Sequence, residues 1–184
     1  MHFDFTEEQN LFRDASRKFL EAECPPTFVR KMMDHEEAFD PAFWKKLAEL
    51  GWTGMLVPEA YGGVEGTLTD MIVVAEEVGR SVMPGPLYAT AVTGAMLLVL
   101  AGDEEQKNHY LPMVAEGGHL LTLGVLEEDA ALQCGSISTL AEGGQGQFSL
   151  NGEKRFVPDA HVADTIIVSA RTSRRAAPDR GVSL

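Results

Sequence analysis

The chain has 184 residues, of which 45% are hydrophobic and 23% charged, and its formal net charge is −13. That length and balance suit one soluble domain with a sizeable core, or one domain and part of another. The negative charge repels phosphate backbones and anionic lipid headgroups, which argues against nucleic acid and acidic membrane surfaces as partners. The two cysteines, Cys24 and Cys134, are far apart and sit in no paired motif. That pattern fits a reducing compartment and excludes a disulfide framework. The five histidines show no short zinc spacing, so no metal site is expected. The N-terminal MHFDFTEEQ is acidic and is no secretory signal. The most apolar segment, 89–101, is too short to span a bilayer and contains Thr90, Thr93 and Gly94. A cytoplasmic protein is expected.

The first two thirds of the chain read as helical. Thr6 and Gln9 have the spacing of a capping box, and Leu11, Ala15, Phe19 and Ala22 then recur at helical intervals. Pro25-Pro26 ends that helix, and a shorter one is expected over 27–34. Asp40-Pro41 reads as a cap followed by proline at the first helical position. The helix it opens carries Phe43, Trp44, Leu47 and Leu50, and Gly51 closes it. In MLVPEAYGG, Pro58 and Gly62-Gly63 argue against a long helix. The spacing then predicts a helix over 69–81 with Ile72, Ala75, Val78 and Val82 on one side. After the Pro84-Gly85-Pro86 break, 87–101 is apolar on nearly every face and should form a central, buried helix. Asp103 and Gln106 form another capping-box pair, on a helix ending near Gly117-Gly118. Trp44, Trp52 and Tyr61 read as core.

From residue 120 the pattern changes to short runs with β-branched residues between turn signals. LLTLGVLEEDAALQ (120–133) is an apolar run that meets Glu127, Glu128 and Asp129 with no break. Unpaired buried charge is costly, so these acids must reach a surface or a site. Residues 136–141 alternate, GGQGQ (143–147) reads as a turn, and Asn151-Gly152 is a strong hairpin dipeptide. A strand is expected over 165–170, and Gly181-Val182-Ser183-Leu184 looks like the start of another. A stop inside a β segment is what a truncated domain would show.

The order of blocks is specific. GWTGMLVPEAYGG, EEVGRS, AGDEEQKNHYLPMVAEG, and LNGEKRFV followed by HVADTIIVSART resemble the acyl-CoA dehydrogenase family, in order and spacing, over nearly the whole chain. The resemblance implies a multidomain α and β fold. An N-terminal all-α helical domain, 1–119, is followed by a partial antiparallel β domain of acyl-CoA dehydrogenase type, 120–184. The family's C-terminal four-helix bundle is absent from this chain.

The resemblance also implies a chemistry: FAD as cofactor, an acyl-CoA thioester as substrate, and a trans-2-enoyl-CoA as product. A carboxylate removes the α-proton, hydride leaves the β-carbon for the flavin, and an electron-transfer flavoprotein takes the electrons. Family enzymes are usually tetramers. A weakly acidic α-proton requires hydrogen bonds to the thioester carbonyl and a base within reach in a dry pocket. The family's catalytic glutamate lies in the C-terminal bundle, so no catalytic residue is expected in this chain. Glu59 in VPEAYGG reads as structural.

Family members end the LGVLEED strand with a threonine, Glu-Pro and a Gly-Ser-Asp turn that touch the flavin or its pyrophosphate. Here Leu126 stands for the threonine and Glu128 for the proline, Glu127 is kept, and Ala131-Leu132-Gln133 replaces the turn. The family's Trp-Ile-Thr becomes Phe156-Val157-Pro158. Phe156 keeps an aromatic wall, while Pro158 lacks both a hydroxyl and a backbone N–H. Backbone contacts from Val125, Leu126 and Val157 remain as the expected cofactor-binding groups, and flavin binding is expected to be weak or lost.

By the same resemblance Ala89, Thr90, Thr93 and Gly94 line the acyl pocket, where small residues leave room for a long or bulky chain. Close helix packing explains them equally well. Arg171, Arg174 and Arg175 are candidates for CoA phosphates, although a polar tail favours solvated side chains. Three readings follow in order. They are a working dehydrogenase with an unusual flavin site, a flavin-poor partner subunit of a heteromeric dehydrogenase, and a non-catalytic scaffold. The 184-residue chain alone is expected to be inactive.

Overall fold

The computed structural model describes residues 4–128, 136–144, 147–173 and 181–184. Six helical segments come first. They are α1 (Glu7–Glu23), α2 (Pro26–Met33), α3 (Pro41–Glu49), α4 (Leu68–Arg80), α5 (a π-helical stretch Tyr88–Gly94 running directly into Ala95–Ala101) and α6 (Glu104–Ala115). Their starts are local in origin. Thr6, Thr67 and Asp103 each accept from the backbone N–H three residues on, and Gln9, Asp70 and Gln106 return the bond. Asp40 caps α3 through the N–H groups of Ala42 and Phe43, with Pro41 at the first position. Between α3 and α4 the chain makes only a short 3-10 turn, Glu59–Tyr61.

The helix faces differ from those the spacing suggests. On α1, Ser16 and Leu20 are buried, flanked by Phe12 and Phe19, while Leu11 is 67% exposed. On α4, Met71, Val73, Val74 and Glu77 are buried and Val78 packs on the core as expected, whereas Ile72 and, beyond the helix, Val82 face out. Leu50 is exposed too. Each true face is displaced from the predicted one by about a residue. The displacement on α4 has a specific cause. Glu77, which hydropathy assigns to solvent, is 3% exposed because Arg17 of α1 reaches it with two hydrogen bonds of 2.7 and 2.9 Å. Those bonds lower the Glu77 carboxyl below its ordinary range, against the opposing effect of burial.

Two apolar cores result. The first joins Leu20, Phe43, Leu47, Trp52, Met71 and Val74. The second joins Val57, Ala95, Leu98, Leu111, Val114 and Leu121, with Ile167 packed on it. Trp44 and Trp52 are buried, and the Trp44 indole N–H donates to Gly117 O at 2.9 Å. Tyr61 is half-buried against the second core, and its hydroxyl donates to Glu104.

The β region starts with β1 (Leu121–Gly124) and continues with β2 (Leu140–Gly144), β3 (Gln147–Asn151), β4 (Thr165–Val168), β5 (Ala170–Arg171) and β6 (Val182–Ser183). Pairing is mixed. The β2–β3 and β5–β6 pairs are antiparallel, while β1 runs parallel to β4 and β2 parallel to β5. The β1–β4 pair forms one sheet, and the other runs in the order β3-β2-β5-β6. The antiparallel register of β2 and β3 runs as far as the Gly144–Gln147 pair, and residues 145–146 of the GGQGQ stretch lie outside the described residues. Asn151-Gly152 makes no hairpin. It ends β3, where Gly152 comes so close to Thr139 that an added Cβ would stand 2.4 Å from Thr139 Oγ1. That close approach, and not turn chemistry, accounts for this glycine.

α5 is seated directly on β1. Thr90 Oγ1 accepts from the Leu121 N–H and donates to the Leu121 carbonyl, both at 3.1 Å. Gly94 lies against the same residue, and a Cβ there would be 2.5 Å from Leu121 Cβ. Gly94→Ala should therefore cost about 1–3 kcal/mol in urea unfolding through overpacking. Gly79, on α4 with nothing within 4 Å, is the control. Gly79→Ala should gain about 0.5–1 kcal/mol from helix propensity.

Candidate functional site

β1 ends at Gly124, and Val125, Leu126 and Glu127 continue it. The loop 152–158 lies alongside this end. The Arg155 N–H donates to Leu126 O at 2.8 Å, and Thr122 Oγ1 donates to Pro158 O at 2.5 Å. An added Cβ on Gly124 would stand 3.5 Å from Val157 Cγ2. The two segments singled out in the sequence, 125–126 and 156–158, are thus brought together.

Glu127 anchors the arrangement. It is 6% exposed, so the acid that follows the apolar run is turned inward. One carboxylate oxygen accepts from the Thr139 N–H at 2.9 Å and hydroxyl at 2.7 Å, and from Lys154 Nζ at 2.8 Å. The other accepts from the Ser138 N–H at 2.7 Å and from the Ser138 hydroxyl. Burial alone would raise the Glu127 carboxyl, but the hydrogen bonds from Lys154, Ser138 and Thr139 outweigh it and hold the group well below the usual carboxylate range. Lys154 Nζ also donates to Val125 O at 3.2 Å and Ser169 Oγ at 3.0 Å, which uses all its donors. Glu128, by contrast, is exposed and faces Arg155 at 3.8 Å. Asp129 and the Ala131-Leu132-Gln133 stretch lie outside the described residues.

The carbonyls of Val125 and Leu126 are already engaged by Lys154 and Arg155. The N–H groups of Val125, Leu126, Phe156 and Val157 make no hydrogen bond among the described residues. Those donors are open at this strand end. Leu126 offers no hydroxyl, and Pro158 offers neither hydroxyl nor N–H. Phe156 is 80% exposed with φ +52°, and Asp159 shares that left-handed conformation. Two non-glycine residues in this region within four positions mark a locally strained loop. Burial pushes the Asp159 carboxyl up, with His161 opposing. His161 Nε2 meets Glu37 O at 2.8 Å and ties the loop back to the α2–α3 connection.

The other predicted set sits at the opposite end of β1. Ala89, Thr90 and Gly94 are buried, and Thr90 and Gly94 are turned onto Leu121, while Thr93 is half-buried. Leu121 and Val125 are about 13 Å apart along an extended strand. Glu59 is exposed on its 3-10 turn. Arg171 is held by structure, its Nε donating to Ile137 O and its N–H to Thr139 O. Arg174 and Arg175 fall outside the described residues. Sequence reasoning missed Lys154, Ser138, Thr139 and Ser169 as members of the site. The only local signal was a lysine inside Asn-Gly-x-Lys. An apolar cleft of ≈ 460 Å³ opens elsewhere, between α5, α6 and the sheets, with Leu98, Tyr110, Phe148 and Ile166 in its walls. No cluster of potential metal ligands occurs among the described residues, and no helix among them is long and apolar enough to cross a membrane.

A helical unit clamped to a mixed β unit, with two backbone segments converging at one strand end, defines the class of fold. Residues 6–118 match the family model for the acyl-CoA dehydrogenase N-terminal domain, and the chain belongs to that family. Over 176 residues it is 35% identical to the Bacillus subtilis (strain 168) protein named "Probable acyl-CoA dehydrogenase YngJ", covering 95% of this chain and 46% of that protein. An acyl-CoA dehydrogenase from Geobacillus kaustophilus superposes with a TM-score of 0.85 at 30% identity, over 100% of this chain and 48% of the other. An acyl-CoA dehydrogenase complexed with FAD from Bacillus anthracis gives a TM-score of 0.80 at 28% identity, over 91% of this chain and 29% of the other. The chain thus spans about half the length, or less, of these relatives.

The Glu127 cluster generates a stability prediction with a definite sign. A carboxyl whose folded value is depressed contributes stability that is present above its unfolded value, about 4.3, and is lost as pH falls below it. Glu127→Gln should cost about 3 kcal/mol at pH 7 in urea unfolding, because it leaves Lys154 buried without a counter-charge. Between about pH 4 and pH 2 the wild-type midpoint should fall more steeply than the variant's.

Proposed function

We propose that the chain is the helical and first β portion of a flavin-dependent dehydrogenase that oxidises an acyl-CoA thioester to the trans-2-enoyl-CoA. The observation that carries this reading is the convergence of the 125–127 and 154–158 segments at the end of β1, where the N–H groups of Val125, Leu126, Phe156 and Val157 are among those lacking partners among the described residues. The family membership and the FAD in the Bacillus anthracis relative support it.

FAD, when bound, supplies the hydride acceptor. The residues of this chain supply position. The N–H groups of Val125, Leu126, Phe156 and Val157 would meet acceptor atoms of the ring, and Phe156, already exposed, would lie against it. Ala89, Thr90 and Gly94 set how closely α5 sits on β1, and Thr93 is the member of that group with a side chain free to face an acyl chain. No residue of this chain is proposed as the base. An electron-transfer flavoprotein would accept the electrons, and assembly with further subunits, in the cytoplasm, would complete the site.

A second reading, a flavin-poor partner subunit in a heteromeric dehydrogenase, is favoured by one specific observation. Leu126 and Pro158 remove side-chain and backbone donors from the strand end where a ring would need them. Each missing hydrogen bond costs about 1 kcal/mol, or about fivefold in affinity.

A visible absorption spectrum of the purified protein, alone and with a co-produced partner subunit, separates the readings. A flavin band in the protein alone supports the first. A band that appears only with the partner supports the second, and no band in either preparation sinks both. Where FAD binds, Leu126→Thr should tighten it about fivefold in a fluorescence titration. The 184-residue chain by itself should not reduce a dye with any acyl-CoA, and turnover would overturn that expectation.

A further inference from the structure

We infer that Glu127 and Lys154 are positioning residues for the flavin-facing strand end, and that their ion pair aligns the backbone donors that remain after the hydroxyl contacts are lost. The inference deepens the flavin reading and rests on it for its ligand, but its structural half can be measured without one.

The geometry assigns the role by what each member joins. Glu127 holds three separate stretches of chain. It sits at the end of β1, accepts from the backbone and hydroxyls of Ser138 and Thr139, and pairs with Lys154 on the 152–158 loop. Lys154 adds a fourth through Ser169, beyond β4, and returns to β1 through Val125 O. Both side chains are more than nine-tenths buried, at 7% and 9% exposure, so the pair is poorly screened by water. The pair brackets the site. Val125 and Leu126 lie immediately before Glu127, and Phe156 and Val157 lie two and three residues after Lys154.

A buried pair of this kind contributes little net stability compared with an apolar substitute, but it admits only one mutual arrangement of its segments. Loop 154–158 has few other ties to β1. They are the Arg155–Leu126 and Thr122–Pro158 bonds and the Val157–Gly124 contact. Its Phe156, and Asp159 just after it, hold left-handed backbone conformations. Without Lys154 the loop has a conformational reason to relax away from the strand, and the donors of Phe156 and Val157 would go with it.

The test compares wild type, Lys154→Met and Lys154→Arg by FAD fluorescence titration and by amide hydrogen exchange. Lys154→Met keeps the apolar stem and removes the charge, and Lys154→Arg restores it. In Lys154→Met the Arg155 N–H, bonded to Leu126 O, should exchange at least tenfold faster. The N–H groups of Val73 and Val74 in the helical core, which share only the global cost of breaking the pair, should lose less protection than that. Lys154→Arg should recover at least part of the difference. Where wild type binds FAD, Lys154→Met should bind at least tenfold more weakly.

An unchanged Arg155 exchange rate overturns the inference whether or not flavin binds. So does loss of protection at Val73 and Val74 to the same degree, which would make the pair a general stability element. So does wild-type FAD affinity in Lys154→Met. Absence of FAD binding by wild type, both alone and with a co-produced partner subunit, overturns the flavin reading, and the exchange data still decide the positioning role.

Discussion

The β half of this molecule depends on one buried carboxylate. Glu127 leaves an apolar strand and is turned inward, where an uncompensated charge would be prohibitive. It is tolerated because the backbone and hydroxyls of Ser138 and Thr139, and the ammonium of Lys154, satisfy both oxygens. The consequence is geometric. Four stretches of chain distant in sequence are obliged to meet at the end of β1, and that meeting point is where the chain has backbone donors to offer. The helical half uses the same device at Glu77, whose burial against Arg17 fixes how α1 and α4 face one another. In both places an acidic residue that composition would assign to the surface specifies a register between elements.

β1 is the common axis of the two halves. At its start, Leu121 exchanges two hydrogen bonds with Thr90 of the π-helical stretch and presses against Gly94. At its end, Glu127 gathers the loops. A π-helical segment is less favourable than an α-helical one and is found preferentially at functional sites. Here it turns a threonine hydroxyl onto a strand whose outer edge has no strand partner among the described residues. Among the small residues of 89–94, close packing accounts for Thr90 and Gly94. Thr90 and Gly94 serve the contact with β1, and Thr93 is left half-buried.

Leu126 carries no hydroxyl and Pro158 no N–H, yet the strand end is fully supported. The supporting cluster is complete, since every side-chain polar atom of Glu127 and Lys154 has a partner. Backbone donors do not depend on which side chain a residue carries, so a site built on them survives substitutions that would remove a site built on hydroxyls. Proline is the exception, because it deletes the donor itself, and at Pro158 only the carbonyl takes part, as the acceptor for Thr122.

What the sequence determined by itself is everything that acts over three or four residues. The capping boxes at Thr6 and Asp103, the Asp40-Pro41 helix start and the break at Pro84-Gly85-Pro86 all follow from local chemistry, and all are in the structure. The ordered blocks also carried the family. The tertiary structure decided what depends on remote partners. Apolar spacing left the faces of α1 and α4 about one residue out, on α4 because Arg17, 60 positions away, satisfies a buried Glu77. Asn151-Gly152 has hairpin chemistry, but it sits against Thr139 and is used for close approach. Glu127 could be recognised as an acid that must be satisfied, but not by what. Lys154 lies 27 residues on, and nothing in the intervening chain encodes that distance except the fold that closes it.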